Sequence, residues 1–509
     1  MFCKVMSGAL QGIECYLVTV EVDISTGLPC MELVGFLSSE VREAKERVRV
    51  AMHNCKASVP GQRVTINLSP ANVRKAGSSF DLPIAVGILG AMGKVEEIWR
   101  EQVLFTGELG LDGSIRGVKG ILPIVLEAKK RGLKACVVLK ENEEEGRIVE
   151  GNQILRAGHL SQIIKLLSEK EIPAIRAEAE KSIAVGEAKV DFGEVKGQET
   201  VKRAVMIAAA GFHHLLMLGT PGAGKTMIAK RIPGILPRLS VEECMEVSKI
   251  YSISGLLKKQ QLMQQPPFVN PHHSITVQAL TGGGRVPVPG ALSLAHKGVL
   301  FLDEMAEFNR AALDSMRQPL EEKEIRIARS TGNFSYPADF MLVGAMNLCP
   351  CGYFPDLKKC RCSPYQRKRY ISKVSGPILD RMDICIWVEP VKVRELSGKD
   401  MKKGLTTGNM ADVVMRARKM QKERYGNNRM NMPYNSSLKG DELKKYCELD
   451  WNTEKMLEKV FQKRNLSPRV YHRTLRISRT IADMENSGRI CQEHVMEALS
   501  YIGVLEEFC

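Results

Sequence analysis

Strict alternation of apolar and polar residues at Val18-Thr19-Val20-Glu21-Val22-Asp23-Ile24 and at Val64-Thr65-Ile66-Asn67-Leu68 predicts half-buried strands. Between them, Ser38 to Asn54 has helical spacing and predicts an amphipathic helix. Phe80 to Gly93 is apolar around its whole circumference, the pattern of a buried helix. Residues 168–190, charged and rich in Ala, Glu and Lys, read as a linker. Beyond it lie short apolar runs, Leu215–Leu218, Val299–Leu302 and Met341–Met346, each the length of a buried strand. Residues 391–509 carry mostly helical patterning, clearest from Thr474 to Asn486, with Gly488 as the expected stop. The chain therefore divides into 1–167, a linker 168–190, 191–390 and 391–509, consistent with about three domains of ordinary size. No internal repeat or low-complexity tract interrupts this order.

Composition narrows the class. A hydrophobic content of 44% supports large cores, and no apolar run approaches the length of a membrane span. The first ten residues lack the apolar core of a signal peptide, so a cytoplasmic protein is expected. Its fourteen cysteines then argue for thiols or metal ligation rather than a disulfide framework. The net charge of +15 favours a polyanionic partner, and its distribution says more than its sum. Residues 358–373 hold seven Lys/Arg and no acid; residues 391–430 hold eleven against four acids. Lys368 and Arg369 lie in the first of these stretches and are candidate nucleic-acid contacts.

The chemistry centres on Gly219-Thr220-Pro221-Gly222-Ala223-Gly224-Lys225-Thr226, which fits G-x-x-x-x-G-K-[ST] at every fixed position. An apolar run precedes it and a helix-compatible run follows. That context makes a phosphate cradle, since glycines let backbone N–H groups curl around an anion. Lys225 is expected to neutralise the β- and γ-phosphates of ATP, and Thr226 to ligate Mg²⁺. Val299–Leu302 ends in Asp303 and Glu304. Beside a phosphate loop, the first would hold the Mg²⁺ shell and the second would polarise the attacking water. Met341–Met346 ends in Asn347, either a turn residue or a reader of the γ-phosphate. Arg381 lies between Asp380 and Asp383, where it either makes a local salt bridge or reaches a neighbouring subunit's site.

Together with Gly197-Gln198 and Ser375-Gly376-Pro377-Ile378-Leu379-Asp380-Arg381, these motifs follow the order of an AAA+ ATPase. The wording is more specific still. Pro267-Phe268-Val269-Asn270-Pro271-His272-His273, Gly282-Gly283-Gly284, Pro289-Gly290-Ala291-Leu292-Ser293-Leu294-Ala295-His296 and Cys349-Pro350-Cys351-Gly352 resemble the magnesium-chelatase-like AAA+ proteins of the YifB/ComM family. The resemblance covers essentially the whole chain. It implies an α/β fold: an AAA+ αβα P-loop core with a helical lid, preceded by an α+β Lon-protease-like domain of the ribosomal S5 type. It also implies a homo-hexameric ring, ATP and Mg²⁺, an insert near Leu262–Gly284, and a hairpin over Glu324–Ser335 with its turn at Thr331-Gly332-Asn333. Alternation around Gly-Asn supports that hairpin independently. In related helicases such hairpins line the pore, so Arg326 and Arg329 become candidate DNA contacts; solvated strand arginines are the plainer alternative. By the same resemblance Arg381 is the arginine finger, and Arg469 is the lid's sensor 2, with Arg473 its rival. Such a finger is worth on the order of 10³–10⁵ in rate in related phosphoryl transfer.

Cys349, Cys351, Cys360 and Cys362 form C-x-C-x₈-C-x-C. Four thiols so close could supply a tetrahedral Zn²⁺ site, although the C-x-C pairs are tighter than zinc-ribbon spacing. An unmetallated loop and a redox pair are the alternatives. In the first domain, Lys75-Ala76-Gly77-Ser78-Ser79-Phe80-Asp81-Leu82-Pro83 sits where Lon-type proteases carry their nucleophile, aligning Ser79 with it. The position of the catalytic lysine is taken by Leu122, with Lys119 three residues off register. A Ser-Lys dyad needs that amine to take the serine proton, so this domain is expected to be non-proteolytic. The expected function is a DNA motor, a helicase or branch-migration ATPase of recombination or natural transformation. A metal-insertion ATPase subunit is the alternative, and an ATP-dependent protease the weakest reading.

Overall fold

A computed structural model of the chain describes residues 1–173, 190–257, 262–329, 332–391, 405–426 and 434–502. Most of the expected linker (residues 174–189) and part of the basic stretch (residues 392–404 and 427–430) lie outside the described residues. The first part of the chain builds a mixed seven-stranded sheet. Its spatial order is Cys30–Val34, Arg63–Ser69, Glu14–Ser25, Phe2–Gln11, Val103–Phe105, Ala135–Val138 and Gln153–Arg156. The two alternating runs expected as strands pair antiparallel, Val20 opposite Leu68 and Val22 opposite Ile66, with the apolar residues of both buried. Helices Ser39–Asn54 and Asp81–Ala91 fill the space above the sheet. Asp81–Ala91 is buried on nearly every side because Gly87 and Gly90 let it close on the strands. A Cβ at Gly87 would stand 2.6 Å from Val22, and one at Gly90 would stand 2.3 Å from the Cys3 sulfur.

The second part is an all-parallel five-stranded sheet in the order Phe268–Val269, Val299–Leu302, Met341–Met346, Leu215–Gly219, Ile384–Val388. Its central strands are buried at every position, as expected when helices cover both faces. The order matters for function. Leu218 is level with Met346 and Leu302 with Gly344, so the phosphate loop, Asp303 and Asn347 all leave the same edge. Ligands of parallel α/β sheets bind at that carboxyl edge. Phe268–Val269 belongs to this sheet, so part of the stretch expected as an insert is core. The rest forms helix Val277–Thr281 and a two-stranded ribbon of Gly282–Gly283 with Val288–Pro289.

The third part is helical, and its helices Thr407–Tyr425 and Pro468–Met484 pack on helix Glu199–Gly211 of the second. Buried Asp483 gathers Arg424, Arg479 and Asn435, which satisfies its carboxylate in this packing. The helix expected at Thr474–Asn486 begins earlier, with Pro468 at its first turn, and ends at Met484. Asn486, with φ 57°, makes the left-handed exit expected of Gly488. The first and second parts also touch. Ser252 bonds Glu145, and the Ser252 carbonyl accepts from Gly120 N–H at 3.1 Å.

Candidate nucleotide site

Strand Leu215–Gly219 delivers the phosphate loop, and a helix begins at Lys225. Gly222 (φ 77°) and Gly224 (φ 92°) take conformations that side chains disfavour, which turns the backbone from strand to helix in five residues. Gly219 has a different task. A Cβ there would meet the Val388 carbonyl at 2.5 Å, so the loop can start only where the neighbouring strand ends.

Lys225 Nζ donates to the Gly219 carbonyl at 2.8 Å, the Thr220 carbonyl at 2.9 Å and Asn347 Oδ1 at 3.2 Å. Burial lowers its pKa, opposed by the charges of Asp303 and Glu304. Thr226 Oγ1 donates to Asp303 Oδ2 at 2.6 Å, and Asp303 Oδ1 accepts from Glu304 N–H at 3.0 Å. Glu304 takes a left-handed backbone (φ 51°) and is mostly exposed. The residues thus fit ATP with Mg²⁺. One ammonium and a loop of N–H groups suit phosphates, and a hydroxyl touching a carboxylate is an oxygen donor pair suited to a hard cation. Bound there, Mg²⁺ would neutralise charge on the β- and γ-oxygens. Lys225 would bind phosphate oxygens, Asn347 would orient the Lys225 amine, and Glu304 would hold and polarise water.

Two neighbours belong to motifs that carry the family resemblance, which assigned them no role. His273 Nδ1 lies 3.9 Å from Glu304 Oε2 and its ring packs edge-on to Phe308. The doubled His272-His273 after a short apolar strand was the available signal. Gly352, with φ 81°, presses on the phosphate loop: a Cβ there would stand 2.7 Å from Pro221 Cγ. Nothing in the spacing of the sequence announces that contact.

The arginines sit elsewhere. Arg381 donates to the Pro377 carbonyl at 2.6 Å and pairs with Glu321, not with its flanking acids. Arg469 is largely exposed, 3.9 Å from Asp380. Arg473 is buried and bonds the Asp380 carbonyl. Both sensor 2 candidates therefore converge on the segment that carries Arg381, and none of the three bonds the phosphate loop.

The expected hairpin is present as Glu324–Arg329 paired with Gly332–Pro337. Of the expected turn, Thr331 lies outside the described residues, and Gly332 and Asn333 belong to the second strand, opposite Arg329 and Ala328. Arg326 is exposed and pairs with Glu324 at 3.1 Å; Arg329 is exposed near Gly283. A cleft of about 270 Å³ lies between the Arg329 strand, Gly282 and Gln318. Lys368 and Arg369 are exposed on helix Pro364–Ile371, which Ser363 and Gln366 cap reciprocally.

The four clustered cysteines converge, their sulfurs all within 4.8 Å of one another. Burial pushes the Cys349 thiol up to about 12, while a backbone hydrogen bond at Tyr353 draws Cys351 down to about 7. In the first domain, Leu122 is fully buried and its N–H donates to Glu145 at 2.9 Å. No amine occupies the place expected for a catalytic lysine. Lys75 is buried and bonds the Pro70 carbonyl, and Ser78, adjacent to Ser79, pairs with Glu108.

Three family profiles match in succession: "Subunit ChlI of Mg-chelatase" at residues 20–142, "Magnesium chelatase, subunit ChlI" at 191–396, and its C-terminal part at 404–502. Competence protein ComM of Haemophilus influenzae is 40% identical over 500 residues, covering 98% of this chain and 96% of that one. The protein YifB of Escherichia coli is 39% identical over 493 residues, covering 97% and 95%. The chain belongs to the magnesium-chelatase-like AAA+ family, in its ComM/YifB branch. Similarity to the magnesium-chelatase 38 kDa subunit of Cereibacter sphaeroides is narrower: 25% over 173 residues, 31% of this chain and 52% of that one. Among the described residues, no helix of this chelatase-like ATPase is long and apolar enough to cross a membrane.

Proposed function

We propose that this chelatase-like AAA+ ATPase is a homo-hexameric, cytoplasmic motor that hydrolyses ATP with Mg²⁺ to move on DNA. Helicase or branch-migration work in recombination or natural transformation is the reading we favour. The observation that carries it is the gathering of Lys225, Thr226, Asp303 and Asn347 at one sheet edge, in a chain alike end to end to a relative named a competence protein. Exposed Arg326, Arg329, Lys368 and Arg369 supply cations for phosphates. Arg381 serves as the finger of the neighbouring subunit, and Arg469 or Arg473 as sensor 2. A Zn²⁺ ion held by Cys349, Cys351, Cys360 and Cys362 braces the loop after Asn347. The Lon-like first domain, lacking a lysine at Leu122, acts as scaffold rather than protease.

ATP hydrolysis measured alone and with single-stranded, duplex and branched DNA tests the reading, with Glu304→Gln as control. We expect stimulation by DNA, strongest with branched DNA, and ATP-dependent strand displacement. No stimulation and no movement on any of the three sinks it. The second reading, a metal-insertion ATPase subunit, is favoured by the shorter similarity to the 38 kDa chelatase subunit. Indifference to all DNA would leave that one standing.

A further inference from the structure

The cysteine loop and the nucleotide site share backbone. Strand Met341–Met346 runs directly into Asn347, whose Oδ1 receives Lys225, and two residues later into Cys349. Gly352 then turns back onto the phosphate loop. Its missing Cβ would stand 2.7 and 2.9 Å from Pro221 Cγ and Cδ, and 3.6 Å from Asn347 Nδ2. The six residues Asn347 to Gly352 thus run from the lysine's partner back to the loop that cradles phosphate.

The sulfur geometry says what fixes those residues. Cys349 and Cys351 are 3.3 Å apart, Cys349 and Cys360 3.8 Å, and Cys351 and Cys360 3.6 Å. A tetrahedral zinc–thiolate centre with bonds of about 2.3 Å spaces its sulfurs about 3.8 Å apart. Disulfide sulfurs are about 2.05 Å apart. The three spacings lie nearer the zinc value than the disulfide one, and the Cys362 sulfur is within 4.8 Å of the others. Cys349 and Cys360 are buried and form its inner half; Phe354 N–H points at the Cys349 sulfur from 3.4 Å. Between Gly352 and Cys360 the backbone makes short turn bonds, Asp356 N–H to Tyr353 and both Lys359 and Cys360 N–H to Asp356, with no strand or long helix to position it. A four-way cross-link there would decide where Gly352 stands.

We propose that Zn²⁺ bound by Cys349, Cys351, Cys360 and Cys362 presses Gly352 against Pro221 and so sets the phosphate loop, making metal binding and nucleotide binding mutually dependent. This rests on the zinc reading above and goes beyond it, from a structural clip to control of the nucleotide site. Such coupling is reciprocal: if the ion tightens ATP, ATP tightens the ion by the same factor. Gly352 and the cysteines are positioning residues, since they act through Pro221 of the phosphate loop.

The test uses the full-length protein. Bound zinc is counted, then affinity for a fluorescent ATP analogue with Mg²⁺ is measured before chelation, after it, and after Zn²⁺ is restored. We expect one Zn²⁺ per chain and binding about tenfold weaker without it, recovered on readdition. Gly352→Ala, which adds a Cβ at this contact, should keep its zinc yet bind the analogue more weakly, which tests the contact apart from the metal. Absence of zinc overturns the proposal together with the zinc reading. One zinc per chain with unchanged nucleotide affinity, in depleted protein or in Gly352→Ala, overturns the coupling and leaves the metal site intact. Should depletion unfold the chain, release of Zn²⁺ to a chromogenic chelator is timed with and without the ATP analogue. Slower release with nucleotide supports the coupling, and equal rates overturn it.

Discussion

Lys225 and Glu304 divide binding from chemistry, and single substitutions should separate them. The Lys225 amine is half-buried among carbonyls and Asn347, so its charge is available to whatever anion enters the loop. Lys225→Ala should abolish binding of the fluorescent ATP analogue. Glu304→Gln keeps the loop and the Thr226–Asp303 pair, so affinity should stay near wild type while single-turnover hydrolysis falls by roughly 10²–10⁴-fold. A second residue-scale prediction concerns acid. His214 is partly buried, desolvation pushes its pKa down from 6.5 to about 4, and its Nδ1 accepts from Leu342 N–H at 3.0 Å. The folded state therefore binds fewer protons than the unfolded one. The resulting stability is complete above about pH 6.5 and is lost as pH falls toward 4, roughly 2 kcal/mol by pH 5. Buried His213 shifts the same way. The melting temperature should drop between pH 7 and pH 5, and His214→Asn, which retains an acceptor, should drop less over that interval. The phosphate loop could be read from sequence because it is a local motif, one turn with fixed glycines. Gly352 against Pro221 and Glu321 on Arg381 could not, because contacts between residues far apart in sequence leave no spacing to recognise.

Elements were legible where periodicity was strong and ambiguous where ends are set by tertiary contacts. The strands Leu215–Gly219, Val299–Leu302 and Met341–Met346 coincide with uninterrupted apolar runs, since both faces of the sheet are covered. The hairpin was legible as a hairpin but not in its register, because Gly332 serves as the first residue of a strand rather than in the turn. That register matters for the DNA reading. Arg326 faces Ser335 and Arg329 faces Gly332, and both guanidinium-bearing residues are exposed. If each meets one phosphate, Arg326→Ala with Arg329→Ala should weaken binding of DNA of any sequence. It should also reduce the slope of log affinity against log salt by roughly 1.4–1.8, the contribution of two phosphate contacts. Equal slopes for wild type and the double variant would remove the hairpin from the DNA path. The same hairpin is braced by the first domain, through Gln11 to the Asn333 carbonyl at 3.4 Å and the close approach of Gly12 to Ser335.

On the scale of the whole molecule, the arginines decide what a single chain can do. Arg381 is tied to Glu321 and Pro377, and Arg469 and Arg473 gather on Asp380 beside it. The loop, the carboxylates, Asn347 and Lys225 lie together, but none of these three arginines bonds them. In the ring proposed above, Arg381 of the neighbouring subunit would complete such a site. This gives a prediction that no single-chain mechanism shares. Lys225→Ala should be inactive for want of nucleotide, and Arg381→Ala should bind ATP normally yet hydrolyse it about 10³-fold more slowly. Mixing the two inactive proteins under conditions that let rings exchange subunits should recover activity. Wherever an intact phosphate loop meets an intact Arg381, the interface is whole. With random assembly of equal amounts, one interface in about four has that arrangement, so recovery should approach a quarter of wild-type turnover where interfaces act independently, less where the ring is cooperative. Failure of mixed rings to recover any activity, with assembly verified by sedimentation, would place the decisive cation within the same chain. Arg469 and Arg473 would then be the residues to substitute.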